Sequence, residues 1–207
     1  MSRSVDYYFS MLSPWAYLGH AAFMDVAARH GLSVNHKPVF LGRLFAETGG
    51  IPLAQRHPAR QRYRLIELQR WGERRGLRFQ LQPKFWPFDT VLADRFVIAA
   101  AASGTDPDRF MRAAFAAIWE EERNLADPLV VAELAEAAGL DSTTLIERAG
   151  SSVTEALYAL NLENAVAGDV FGSPAYVLDG EVFWGQDRIE LLDDALRSGR
   201  PPFRAGA

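Results

Sequence analysis

The chain has 207 residues, 49% apolar and 23% charged, proportions that exclude a fibrous or disordered chain and fit one large domain or a small domain carrying an insertion. Its 22 Lys and Arg against 26 Asp and Glu give a net charge of -4, so no global field recruits nucleic acid or an anionic membrane. With no cysteine in the chain, disulfides, thiolate metal sites and a cysteine nucleophile are excluded, and any thiol chemistry must use a borrowed thiol.

No run approaches the ~18 apolar residues of a membrane span. Asp6 stands where a signal peptide would build its apolar stretch, so a cytoplasmic location is expected. The histidines His20, His30, His36 and His57 show neither HxxxH nor HExxH spacing, and no metal is expected.

In chain order, residues 5–9 (VDYYF) predict a strand that breaks at Ser10. Ser13 followed by Pro14 predicts a helix start, because proline at the first helical position has no N–H to lose and a φ already near helical. That helix runs to about His30 and stops at Gly31. A second strand is predicted over 33–41, with Lys37-Pro38 in its middle.

From Pro52 to Gly168 helix start and stop residues recur with little β signal between them. A helix over 58–75 carries six arginines and ends at Gly76, and 77–88 is an aromatic, proline-containing connection. Asp89-Thr90, Asp106-Pro107, Asp127-Pro128, Asp141 and Ser151 or Ser152 each open a further helix, and Gly168 closes the last through a left-handed cap. The tail returns to strands over 175–178 and 181–184, joined by the two-residue turn Asp179-Gly180, and a final helix follows up to Gly199. This order, βαβ then helices then ββα, is a thioredoxin-like α/β fold with a large all-helical insertion. Residues 1–51 and 169–207 form the thioredoxin-like part and 52–168 the insertion.

Three segments carry candidate chemistry. Ser13-Pro14-Trp15-Ala16 reads as an ordinary N-cap, and equally as an anion site, since the free N–H groups and dipole of a helix start favour a thiolate. Gly172-Ser173-Pro174 reads as a turn or, with a cis bond, as a loop whose Ser173 backbone groups face an extended ligand. In Trp184-Gly185-Gln186-Asp187-Arg188, Asp187 caps the last helix or pairs with the α-amino group of a glutamyl moiety.

Taken together, residues 7–19 (YYFSMLSPWAYLG), 65–71 (LIELQRW), 170–177 (VFGSPAYV) and 182–192 (VFWGQDRIELL) resemble the 2-hydroxychromene-2-carboxylate isomerase family, kin of the kappa-class glutathione transferases. The resemblance implies a DsbA-like fold, glutathione as cofactor, a role in aromatic compound catabolism, and interconversion of 2-hydroxychromene-2-carboxylate with trans-o-hydroxybenzylidenepyruvate. It implies that Ser13 hydrogen-bonds the glutathione sulfur beside Pro14 and Trp15. Ser173, before Pro174, would pair with the cysteinyl unit, and Gln186 and Asp187 would hold the γ-glutamyl end. Redox relatives carry Cys-x-x-Cys where Ser13 and Ala16 stand here, so disulfide exchange is excluded. The Asn that contacts glutathione in kappa members has no counterpart in 48–52 (TGGIP).

The partner expected is a small aromatic carboxylate, which needs an apolar wall and a cation. Lys84, Phe85, Trp86 and Trp184 are candidates for these, and one of Arg56, Arg60, Arg62 and Arg64 could reach the pocket. Two other functions remain compatible with these residues: a glutathione transferase that keeps the adduct, and a non-catalytic thiol- or peptide-binding module. A homodimer is neither required nor excluded.

Overall fold

The computed structural model describes residues 3–205. The alternation read at the start becomes strand β1 (Ser4–Phe9), whose Val5, Tyr7 and Phe9 are fully buried on one face while Tyr8 packs into a separate cluster on the other. Strand β2 (Ser33–Pro38) runs parallel to β1, with Val5 opposite Val34. Strands β3 (Ala175–Leu178) and β4 (Glu181–Trp184) complete a mixed sheet of order β2-β1-β3-β4, β3 lying antiparallel to both neighbours. The β3–β4 turn has φ 51° at Asp179 and 80° at Gly180, the left-handed pair that a tight hairpin requires.

Helix α1 (Pro14–Arg29) begins as predicted, with Ser13 at the N-cap and Pro14 in the first turn. Two local expectations are corrected. The second strand stops at Pro38, which donates no ladder hydrogen bond, and the chain turns into a short helix α2 (Leu41–Thr48) closed by left-handed Gly49. Gly168 is not left-handed (φ -97°); that conformation falls on Asp169, with φ 57°.

Between β2 and β3 the chain continues through α3 (Pro58–Arg75), α4 (Val91–Ala102), α5 (Asp108–Trp119), α6 (Pro128–Ala137), α7 (Ser142–Ala149) and α8 (Ser152–Ala167). Asp127, Asp141 and Ser151 cap α6, α7 and α8 through their side chains, as their positions before the helical runs predict. A 3-10 turn (Gln186–Arg188) then leads into α9 (Ile189–Ser198).

The helices between β2 and β3 share one core with the sheet. Tyr7, Phe9 and Phe23 from β1 and α1 belong to the same buried cluster as Phe96, Phe110, Phe115 and Trp119 from α4 and α5. On the opposite sheet face, Tyr8 and Ala175 pack with Leu44 of α2 and Ala165 of α8. Among the described residues, no helix is long and apolar enough to cross a membrane.

Candidate active site

The start of α1 is held against the loop before β3. The Ser13 hydroxyl accepts from Ala16 N (3.2 Å) and donates to the Ser173 carbonyl (3.0 Å), while the Ser173 hydroxyl accepts from Ser10 N (2.9 Å). The Ser173-Pro174 peptide is cis. Ser13 and Ser173 are almost fully buried, so each seryl group is tied to the other's loop rather than projecting into solvent. The N–H groups of Trp15 and Ser173 have no protein partner among the described residues. The Trp15 N–H at the helix start and the Ser173 N–H in the loop opposite it are open donors, as the two segments predict, whereas the Ser173 carbonyl, expected to be free as well, is taken by the Ser13 hydroxyl.

Gly185 connects this loop to the third segment. Its N–H donates to Pro174 O (2.8 Å), and its φ of 100° brings the chain so close to the Asp187 carboxylate that a side chain here would collide with it. Gln186 is buried under Arg75, whose Nη2 donates to its amide oxygen (3.1 Å) and its backbone carbonyl (3.2 Å). The Arg75 guanidinium in turn lies 5.3 Å from the centroid of the Trp71 ring. Asp187 is exposed and paired with Arg188 instead of capping α9, because the 3-10 turn stands between them.

These groups meet in a cavity of about 660 Å³ whose walls include Trp15, Ser173, Trp184, Gln186 and Asp187. The facing wall is α3, which contributes Arg60, Arg64, Glu67 and Trp71, with Arg56 just before it. Arg60 and Arg64, four residues apart on α3, share one face of the helix, and Arg56 reaches the same cavity from the extended stretch before it. None of the three pairs with a carboxylate among the described residues; Arg56 donates instead to Ile51 O (2.7 Å), while Glu67 is taken by Arg70. Burial lowers the pKa of the Arg64 guanidinium to about 10, with Arg56 adding to the effect, so it stays charged near neutral pH. The cavity therefore combines an excess of arginine along α3 with the indoles of Trp71 on that wall and of Trp15 and Trp184 facing it.

Ser13 and Pro14 lie at the closed end of this arrangement rather than among the residues lining the cavity. Trp86 stands apart from that cavity and lines a neighbouring one across α3, while Lys84 and Phe85 line neither. Lys84 lies over the Phe85 ring at 5.1 Å, both being exposed.

A thioredoxin-type βαβ–ββα frame with a helical segment between its halves, and a helix start facing a cis-proline loop, is the arrangement of the DsbA-like thioredoxin domain. The family model for that domain matches residues 4–197, and the chain belongs to this family. Among curated relatives it is similar to the 2-hydroxychromene-2-carboxylate isomerase of Sphingobium xenophagum, at 27% identity over 95% of this chain and 99% of the relative. It is also similar to that of Pseudomonas putida, at 27% identity over 93% of each chain. Among solved structures, a 2-hydroxychromene-2-carboxylate isomerase superposes with a TM-score of 0.76 at 24% identity, covering 94% of this chain and 95% of that one.

Proposed function

We propose that this protein is a glutathione-dependent isomerase that interconverts 2-hydroxychromene-2-carboxylate and trans-o-hydroxybenzylidenepyruvate, or a related aromatic 2-oxo acid. The observation that carries the proposal is the unpartnered Trp15 and Ser173 N–H groups at the α1 start, beside an Arg-lined cavity, in a chain with no thiol of its own. The names of the curated relatives support the reaction class.

Glutathione lies along the cavity with its sulfur at the α1 N-terminus, its cysteinyl backbone against Ser173 and its γ-glutamyl end at Gln186 and Asp187. A free thiol titrates near about 8.5, and stabilising the thiolate by about 1.4 kcal/mol lowers that by about one unit. The Trp15 N–H and the helix dipole supply part of this stabilisation. The Ser13 hydroxyl supplies the rest only by turning its proton from the Ser173 carbonyl to the sulfur.

In the reaction the chromene hemiketal first opens, its ring C–O bond breaking as the 2-hydroxyl gives up its proton and the phenol oxygen gains one. The thiolate then forms an S–C bond to the conjugated carbon of the cis 2-oxo acid, and the π electrons move onto the 2-oxo oxygen. The former double bond rotates, the electrons return, and the S–C bond breaks. Glutathione leaves unchanged. A transferase would instead retain the adduct and consume glutathione.

Replacing Ser13 by Ala should raise the pKa of bound glutathione's thiol by about one unit and lower turnover about tenfold at pH 7. The fold should be retained, because an N-cap accounts for only about 1 kcal/mol. The checks are thiolate absorbance of the complex against pH and a glutathione-dependent chromene assay. An unchanged titration curve would remove Ser13 from the thiolate site, and glutathione consumption equal to turnover would make the protein a transferase.

A further inference from the structure

Helix α3 is a wall with a cavity on each side. The second cavity, about 470 Å³, has an apolar side of Leu53, Leu65, Leu81 and Trp86 and a polar side that includes exposed Arg62 and half-buried Arg64, and Arg64 also lines the larger cavity. Its apolar lining comes from separate stretches of chain, before α3, on α3 and in the connection after it. The Trp86 ring is fixed, since its Nε1 donates to Leu12 O (3.0 Å), the residue immediately before Ser13. One wall of the second cavity is thus bonded to the loop that enters the α1 N-terminus.

Arg64 sits where the two cavities adjoin. Its guanidinium lies 5.7 Å from the Trp86 ring centroid, partly buried, with no carboxylate partner among the described residues. An unpaired cation withdrawn from water is costly to hold in place, and an anionic ligand would offset that cost. A bidentate guanidinium suits a carboxylate, and a fixed indole beside Leu53, Leu65 and Leu81 suits a flat aromatic ring.

We infer that this second cavity seats the aryl group of the substrate, with Arg64 holding the substrate carboxylate at the boundary with the larger cavity. The inference rests on glutathione occupying the larger one. Arg56 and Arg60 face that cavity and not the second, so they are left to the carboxylates of the tripeptide. The substrate class that follows is a planar aryl 2-oxo acid. A bulky or uncharged electrophile would lack either the fit or the anchor.

The test is calorimetric titration of the intact protein with glutathione and, separately, with 2-naphthoate as an unreactive aryl carboxylate. Leu65→Trp fills the second cavity and should weaken 2-naphthoate at least about tenfold while glutathione affinity stays within about twofold. Arg64→Met should likewise weaken 2-naphthoate about tenfold and glutathione, whose cavity Arg64 borders, far less, and Arg64→Lys should restore part of the loss. Because Arg64 is not a core residue, its variants report even where Leu65→Trp does not fold. The inference is overturned if 2-naphthoate does not bind the wild type, if Arg64→Met leaves it unaffected, or if Arg64→Met weakens glutathione instead. Failure of glutathione to bind the wild type would sink the cofactor assignment separately, since the 2-naphthoate titrations are read without it.

Discussion

Gly19, the last residue of the segment 7–19 and just over one turn into α1, sets the position of Gln186. A Cβ at Gly19 would lie 2.6 Å from Gln186 Cβ and 3.0 Å from the Tyr176 hydroxyl, closer than packed atoms tolerate. Gln186 is held from the other side by Arg75, so it has little room to yield. We expect Gly19→Ala to displace the Gln186 turn, lower stability by about 1–3 kcal/mol and weaken glutathione about tenfold. Thermal melts and calorimetry check this, and unaltered glutathione affinity would show that Gln186 does not hold the tripeptide. Ser13, Ser173, Gln186 and Asp187 were legible in the sequence because each sits in a short segment with turn or cap residues of its own. Arg75 was not, and Arg64 was legible only as one of four arginines that could reach the pocket. The arginines of α3 look alike in composition, and only packing separates Arg64, beside Trp86, from exposed Arg62 and Arg70.

Caps and breakers made most helices readable; the start of α2 lacks a cap, and the end of α8 offers two candidates for one turn. Helix α2 begins at Phe40 with no side-chain cap, and the apolar run Val39-Phe40-Leu41 reads as a continuing strand. Only the αL glycine at position 49 marks its end. At the end of α8 two adjacent residues could supply the left-handed turn, and the expectation fell on glycine. Asp169 adopts it instead, with Val170 N bonded back to Ala165 O at 2.8 Å. Asp tolerates this conformation better than most residues, but glycine is freer and a β-branched residue is strained. Asp169→Gly should therefore raise stability by about 0.5–1 kcal/mol and Asp169→Val lower it by about 1–2 kcal/mol, read from urea midpoints. A stabilising Val would contradict the assigned φ.

At the scale of the whole molecule, stability depends on two buried populations of titratable groups with opposite slopes. Burial raises the Asp94 carboxyl to about 7 even though it accepts from the Tyr158 hydroxyl at 2.7 Å. The unfolded carboxyl loses its proton near about pH 4, so between there and 7 the folded chain binds more protons and stability falls as pH rises. His36 behaves oppositely. Burial holds it down to about 4, with His20 adding to the effect, so the unfolded imidazole charges first and stability falls as pH drops from about 6.5 toward 4. Burial alone would push Asp108 up, but His20, 3.0 Å away, and Arg112 outweigh it and hold the carboxyl at about 2. Asp94→Asn keeps an acceptor for Tyr158 and removes the first slope. It should stabilise the protein by up to about 4 kcal/mol at pH 8 and much less at pH 5, measured by denaturation at both. Equal gains at the two pH values would reject Asp94 as the source.

Helix α3 forms one wall of both cavities, and Leu68 and Gly72 are its only buried residues, whereas α4 and α5 each bury seven, among them Phe96 and Val97, and Phe110, Phe115 and Trp119. The frame that fixes the α1 start and the cis-proline loop is therefore anchored more heavily than the α3 wall, which joins the same core chiefly through Leu68 and Trp71 and holds Gln186 through Arg75. Local opening of a lightly anchored helix takes far less free energy than unfolding a core. The division of labour separates access from precision: tolerance of varied ligand shapes belongs to α3, and fidelity of the reacting geometry belongs to the sheet and α1.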